Sequence, residues 1–463
     1  MNIESNGQTI TLVGAGLVGS LLAVLLAKKG FNVEIFERRP DMRRHDISAG
    51  RSINLALANR GIYPLEQAGL MEKVRPILTT MKGRMVHDLA GTENFQSYGQ
   101  KDEEVIYSVS RGDLNIICLD AAEETGLVTI HFEKKCELVN FDKKELTIKD
   151  EKSGKVFQHP FERVIGTDGS ASAVREAIHH VSSKQLDILQ LGHSYKELRI
   201  PPAENGEFQI DQHSLHIWPR GGFMLIALPN EDGSFTVTLF MPTEGNMSFQ
   251  QMDSANKVEA FFAEQFADTL PLLPDLSKDF FDNPTGQLAT VKCSPWHFDG
   301  HALLLGDAAH AVVPFHGQGM NCGFEDALAL AETIGNTKQD DIDWKQVFTE
   351  VDQLRKENGD AIADMAIENY ITMRDSVRDE KFLLRSALAF ELESRFPERF
   401  CPRYSMVMFH RLPYAEAKAR GVIQESILQE LTKNVTDIRD VNFSLAEKLI
   451  TDKLTRVLLN PTR

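Results

Sequence analysis

Cysteine is scarce in this chain and never paired. The five cysteines, Cys118, Cys136, Cys293, Cys322 and Cys401, form no CxxC and no zinc-type spacing, which argues against a disulfide framework or a metal site. They read as reduced thiols, the pattern of a cytoplasmic protein. Long apolar runs are missing as well. The longest, Leu21 to Ala27, stops at Lys28 and Lys29, far short of the roughly 20 residues a membrane span needs. The closing stretch, Leu445 to Leu459, mixes Leu and Val with Glu447, Lys448, Asp452, Lys453 and Arg456 and reads as an amphipathic helix, so no membrane association is expected. The first residues lack the basic and apolar regions of a signal peptide. Basic charge is in deficit: a formal net charge of -17 offers no footprint for nucleic acid. What is present is globular material, 42% hydrophobic and 25% charged, long enough for two or three domains. Small molecules are the expected partners; the oligomeric state is not legible.

The first informative unit is "TITLVGAGLVGSLLAVLLAKKGFNVEIFERR". A β-branched run, Thr9 to Val13, feeds Gly14, Gly16 and Gly19 of a GxGxxG, which opens an apolar helical stretch. Lys28 and Lys29 suit the negative end of that helix and Gly30 its left-handed cap. Phe31 to Phe36 is the next strand, closed by Glu37 and followed by Arg38. Strand, turn, helix, strand and terminal acid together make a dinucleotide fingerprint; a turn whose glycines only permit tight packing is the alternative. The glycines admit a pyrophosphate to the helix N-terminus. Glu37 accepts from a ribose hydroxyl and repels a 2′-phosphate, so the nucleotide should be the ADP half of FAD or NAD. There is only one GxGxxG.

Two further segments carry chemistry. In "RVIGTDGSASAVR", Asp168 and Gly169 follow a short apolar run and precede a helix start; Asp-Gly alone is equally a plain turn. In "GDAAHAVVPFHGQGMNCGFEDA", Asp307 follows the buried run Ala302–Leu305, placing a carboxylate at a strand C-terminus where sugar hydroxyls bind. Gly317, Gly319 and Gly323 surround the start of a helix whose Phe324, Leu328 and Ala331 recur at helical spacing. Bare N–H groups and a positive dipole end there suit an anionic ring.

Taken in order, these three motifs resemble the single-component flavoprotein aromatic hydroxylases. The resemblance implies FAD as cofactor and NADPH as co-substrate, docking without a Rossmann unit of its own. It places Asp168 at both nucleotides, Asp307 on the flavin ribityl chain, and Gly317, Gly319, Met320 and Asn321 beside the flavin. Pro314, Phe315 and His316 then fall at the flavin edge, and Arg111 in "SRGDLNIICLDAA" lies beside the flavin; a surface arginine at a helix start is its plain alternative.

The segments "GRSINLALANRG", "GRMVHD", "HIWPRGGFMLIALPN", "SFTVTLF" and "PRYSMVMFHRLPYAEAKARG" are similar to the kynurenine-hydroxylating branch of that family, over essentially the whole chain. That similarity implies hydroxylation of L-kynurenine with O2 and NADPH through a flavin hydroperoxide, with no side-chain nucleophile or base. It places Arg84, Tyr98, Asn369 and Tyr404 at the amino-acid end of the substrate, and Phe240, Phe315 and Met373 as walls for its ring. Taken singly, each aromatic or Met serves core packing equally well. Another flavin hydroxylase of different substrate, or a non-catalytic flavin sensor, stays open.

The fold class expected is α/β: a Rossmann-like FAD-binding domain (1–75, 105–180, 290–365), interleaved with an antiparallel-sheet substrate domain (76–104, 181–289) and followed by a mainly helical region (366–463). The runs "SLHIWPR", "GFMLIALPN" and "SFTVTLFMP" should form an antiparallel meander.

Overall fold

The computed structural model describes residues 3–44, 54–182, 187–335, 342–376, 379–457 and 459. The start of "GRSINLALANRG", residues 50–53, lies outside them. The chain forms two compact units: one from Met1–Leu78, Val109–Leu191 and Ala289–Ala363, the other from Thr79–Ser108, Gly192–Leu288 and Asp364–Arg463.

The first unit is built on a six-stranded sheet, in the order His297–Phe298, Ala302–Leu304, Val164–Gly166, Thr9–Val13, Asn32–Phe36, Val128–His131. The last five are parallel, and His297–Phe298 is an antiparallel edge. Central parallel strands are covered on both faces and so read as continuous apolar runs. The helix Leu17–Lys28 buries every residue except Val18 and Lys28, because it packs on Arg111–Glu124 and on Gly319–Ile334 as well as on the sheet side. Its C-terminal turn closes at Gly30, φ +86°, and Lys28 Nζ donates to the carbonyl of Ala68 at 2.8 Å. A separate antiparallel sheet, Lys134–Asn140, Glu145–Asp150 and Val156–Pro160, belongs to this unit and was not anticipated.

The second unit holds a seven-stranded sheet, ordered Gly286–Lys292, Asp187–Ile200, Phe235–Pro242, Met224–Pro229, Ser214–Pro219, Gly83–His87, Glu93–Ser97. The three expected meander strands pair antiparallel. Gly83–His87 adds to them in parallel. One sheet face buries Leu225, Val237, Leu239 and Trp218 against Phe261, Phe262, Phe266 and Phe280. The helices Glu380–Arg395, Tyr414–Thr432 and Phe443–Lys453 close a core around Leu388, Leu392, Phe400, Ile427 and Ile450. The last helix stops well short of Leu459: Leu454 turns extended at φ −116°, ψ 122°, and Val457 N donates to Glu398 O. Among the described residues no helix is long and apolar enough to cross a membrane.

Candidate active site

Each glycine of the first motif has its own physical reason. Gly14 sits at φ +103°, and a Cβ there would lie 2.5 Å from Thr167 O. At Gly19 a Cβ would run into Gly14 O and Thr167 Oγ1, so this glycine lets the helix close on its own entry loop. At Gly16 the nearest atom to a Cβ is Arg39 Nη2 at 4.0 Å. That position faces open space at an N-cap with no side-chain hydrogen bond, where a phosphate is favoured.

The intervening Ala15 is clamped from both sides. Glu37 Oε2 accepts from its N–H at 2.8 Å and Asn115 Nδ2 donates to its carbonyl at 3.1 Å. Glu37 is buried, and Arg39 holds it through Nε and the backbone N–H. Burial works against the Glu37 charge, but the Arg39 and Ala15 contacts outweigh it and hold the carboxyl below the usual range. The arginine that engages Glu37 is thus Arg39; both Arg38 and Arg39 are exposed.

Asp168 follows the Val164–Gly166 strand by two residues and caps the helix Ala173–Ser182, its Oδ2 accepting from Ala173 N at 2.8 Å. Its Oδ1 is sealed from water without a hydrogen-bond partner, and burial pushes the carboxyl pKa up. Arg175, buried on the same helix, donates to the carbonyls of Ala308 and Ser170, joining this motif to the turn that bears Asp307. Asp307 is exposed, just after Gly306 at φ +61°. Gly306 N donates to buried Asp326 Oδ2 at 3.1 Å, which also pairs with His310 Nε2 at 2.5 Å, while Asp326 Oδ1 accepts from Arg355 at 2.7 Å.

A single tight turn, Pro314–His316, precedes Gly317 at φ +64°. Phe315 and His316 are buried and Pro314 is exposed. The helix Gly319–Ile334 then begins with no side-chain cap, and a Cβ on Gly319 would lie 4.0 Å from Asp307 Oδ1. Met320 is buried. Asn321 spends its side chain on the Ala56 and Gly317 carbonyls and the Ala58 N–H. Gly323 is a packing glycine, with Val18 2.6 Å from a Cβ. Arg111 is exposed at the first position of the helix Arg111–Glu124, which Ser110 caps.

The second unit gathers the other group of residues. Strand register places Arg84 and Phe240 on the sheet face opposite the phenylalanine core. Arg84 Nε is sealed from solvent without a hydrogen-bond partner. The guanidinium lies 5.5 Å from the Tyr98 ring centroid and 5.1 Å from that of Tyr404. Those two rings stack at 5.4 Å, 17° from parallel. Burial pushes both phenols up, so each stays a protonated donor. For Arg84, burial opposes the charge, and the Tyr404 and Tyr98 hydroxyls beside it favour it. Among the described residues no carboxylate ion-pairs with Arg84. A cation flanked by two phenolic donors is a receptor for an anion. Asn369 Nδ2 donates to Met373 Sδ at 3.4 Å, where a long helix ends in a π turn, Thr372–Ser376.

Residues 8–341 match the FAD binding domain family. The chain is 49% identical over 452 residues to kynurenine 3-monooxygenase of Myxococcus xanthus (strain DK1622), covering 98% of this chain and 97% of the relative. It is 45% identical to the enzyme of that name from Stenotrophomonas maltophilia (strain K279a), covering 97% of each. The chain belongs to the kynurenine 3-monooxygenase family. Among solved structures, the tetrameric form of 2-methyl-3-hydroxypyridine-5-carboxylic acid oxygenase shares the fold at TM-score 0.65 and 18% identity, over 80% of this chain and 93% of that one. PqsL, a probable FAD-dependent monooxygenase of Pseudomonas aeruginosa, does so at TM-score 0.63 and 19% identity, over 80% and 97%.

Like its family, this kynurenine 3-monooxygenase relative has a first unit whose residues fit FAD. The open cradle at Gly16, the uncapped helix at Gly319 and the exposed Asp307 offer phosphate, ring and polyol partners in turn. Sequence reasoning missed Asn115, Arg39 and Asp326. Asn115 lies inside "SRGDLNIICLDAA", where a polar amide between Leu114 and Ile116 was the available signal.

Proposed function

We propose that this protein hydroxylates L-kynurenine to 3-hydroxykynurenine, using FAD, NADPH and O2. The carrying observation is Arg84: a guanidinium whose Nε is sealed from solvent, without a carboxylate partner among the described residues, beside two phenols. A buried charge without a counter-ion is costly, and the α-carboxylate of an amino-acid substrate supplies one. Full-length identity of 49% to a named kynurenine 3-monooxygenase supports the substrate.

When bound, FAD supplies the redox chemistry, taking reducing equivalents from NADPH and activating O2. The chain's own residues bind and orient. Gly14, Gly16 and Gly19 admit the pyrophosphate, Glu37 holds the adenosine ribose, and Asp307 with the N-terminus at Gly319, Met320 and Asn321 holds the flavin; Arg38, Arg111 and Asp168 stand as further cofactor contacts. Pro314, Phe315 and His316 line the flavin edge. Arg84, Tyr98, Tyr404 and Asn369 fix the amino-acid end, while Phe240 and Met373 exclude water from the ring. The aniline nitrogen of kynurenine already enriches the adjacent ring carbon, so no side chain need deprotonate the substrate. All five cysteines are free and buried, which supports a cytoplasmic setting.

The test is NADPH oxidation by the purified flavoprotein. L-kynurenine should accelerate it and yield 3-hydroxykynurenine with matching O2 uptake. Stimulation by simple phenols but not by kynurenine overturns the substrate assignment.

A further inference from the structure

The helix Gly319–Ile334 meets the turn that bears Asp307 along one face. Gly319, Gly323 and Asp326 follow each other at spacings of four and three, so they share one stripe of that helix. A Cβ on Gly319 would lie 4.0 Å from Asp307 Oδ1, and one on Gly323 would lie 3.3 Å from Gly306 Cα. Two bare positions thus let the turn lie directly on the helix. The third position fastens it: Asp326 Oδ2 accepts from Gly306 N at 3.1 Å.

That carboxylate is itself held in place. Arg355 Nε, from the helix Trp344–Ile371, donates to Asp326 Oδ1 at 2.7 Å, and His310 Nε2 lies 2.5 Å from Oδ2. Trp296 stacks on the His310 ring at 5.1 Å. Arg355 Nη2 also reaches Glu325 Oε2 at 3.2 Å, and Glu325 Oε1 accepts from buried Arg60 at 3.1 Å. On the far side of the turn, Arg175 Nη1 donates to Ala308 O at 2.9 Å. Asp326 is fully buried; burial raises its carboxyl, and His310 and Arg355 bring it down to about 2, so it carries its charge.

A buried ion cluster is weak evidence for stability, because apolar residues of similar volume often serve as well. What apolar packing does not supply is an acceptor at one fixed point. Gly306 N is bound to that acceptor, and Asp307 is the next residue. The helix that carries Asp326 begins seven residues earlier, with the uncapped N–H groups at Gly319. One rigid element therefore holds both partners of the flavin, the carboxylate after Gly306 and the helix start.

We propose that Asp326 is a positioning residue for the flavin: by holding the Gly306 amide to the helix, it fixes the Asp307 carboxylate relative to the N–H groups at Gly319. This rests on the assignment of Asp307 to FAD. Glu325 belongs to the same cluster, but among the described residues its bonds go to Arg60 and Arg355 and not to the turn.

The experiment follows FAD release from the purified holoenzyme on dilution, by the return of flavin fluorescence. Asp326→Asn keeps the volume but offers one oxygen where the carboxylate offers two, and should weaken FAD binding about tenfold. Glu325→Gln removes a charge from the same cluster without touching the turn. Its FAD affinity should stay within about twofold of the wild type even if its Tm falls as far. Added to Asp307→Ala, Asp326→Asn should cost less than about twofold more, because a residue that acts through Asp307 then has nothing left to place. If Asp326→Asn folds poorly, Asp326→Glu takes its part: it keeps the charge for Arg355 and His310 but displaces the acceptor from Gly306 N, and should also weaken FAD. A full tenfold loss on top of Asp307→Ala, equal losses in Glu325→Gln and Asp326→Asn, or wild-type FAD affinity in the folded Asp326 variants overturns the inference while Asp307→Ala still weakens FAD. If Asp307→Ala holds FAD like the wild type, the assignment of Asp307 falls and the positioning role falls with it.

Discussion

The glycine cradle of the first unit and the Arg84 pocket of the second are both suited to an anion, and they are made of different material. The cradle is backbone: open space at Gly16, a helix start without a side-chain cap, and an alanine clamped by Glu37 and Asn115. Its attraction comes from N–H groups and a dipole end, spread over several peptide units. The pocket is side chain: one guanidinium and two phenols brought from positions 84, 98 and 404. Its attraction is a full charge with directed donors. The first kind of site is vulnerable to added atoms and the second to removed ones.

The largest expected effect breaks the cradle by addition. In Gly16→Val the new Cβ meets nothing of the protein closer than Arg39 Nη2 at 4.0 Å, so the chain should fold with a Tm within about 2 °C of the flavin-free wild type. The side chain fills the space for the pyrophosphate, and the variant should purify colourless. Gly14→Val is the contrast: φ +103° and Thr167 O at 2.5 Å make it strained as well as flavin-free. A yellow Gly16→Val with one flavin per chain would move the phosphate elsewhere.

The same contrast explains what could be read from the chain. The cradle is local: strand, glycine turn, helix and second strand follow within thirty-odd residues, and each imposes its own residue types. The meander was legible for the same reason, its three strands being separated only by short turns. What escaped is set by distant contacts. Gly83–His87 pairs with Ser214–Pro219 across more than a hundred positions, and nothing local announces a parallel partner. Arg38 and Arg39 are adjacent and exposed in the bend after the strand, and only Arg39 turns its guanidinium back to Glu37. Which of two neighbouring arginines folds back on the acid is not settled by composition. Asn321 was legible as a residue at a helix start, but its amide is committed to Ala56 and Ala58 by tertiary packing. The Asp326–His310–Arg355 cluster escaped because charges of opposite sign at distant positions look like ordinary surface until they are buried together.

The second effect breaks the pocket by removal. Arg84→Ala should lose a charge-assisted contact of roughly 1.5 to 3 kcal/mol, or roughly 10- to 150-fold in kynurenine affinity. FAD content should be normal, the reverse of Gly16→Val. Arg84→Lys should restore only part of the loss, because an ammonium keeps the charge without the planar two-point geometry. Flavin spectral titration measures all three proteins. Equal losses for kynurenine and decarboxylated kynurenine would take Arg84 away from the carboxylate.

The smallest effect sharpens the comparison from inside the cradle, at its buried carboxylate. Glu37 holds Ala15 N through Oε2 and Arg39 through Oε1. Burial raises its carboxyl, and the Arg39 contacts with the Ala15 N–H bring it below the usual range. Glu37→Gln keeps one oxygen for Ala15 N but places an NH2 toward Arg39 or a ribose hydroxyl. The loss should be that of a single hydrogen bond, about 0.5 to 1.5 kcal/mol, read as roughly a 2- to 12-fold weaker FAD affinity in a reconstitution titration. Preference for NADPH over NADH should not change, because this nucleotide site is assigned to FAD. A clean change in coenzyme preference would reassign the cradle to the nicotinamide nucleotide. A loss as complete as that of Gly16→Val would mean that the cradle, too, depends on one side chain rather than on its backbone.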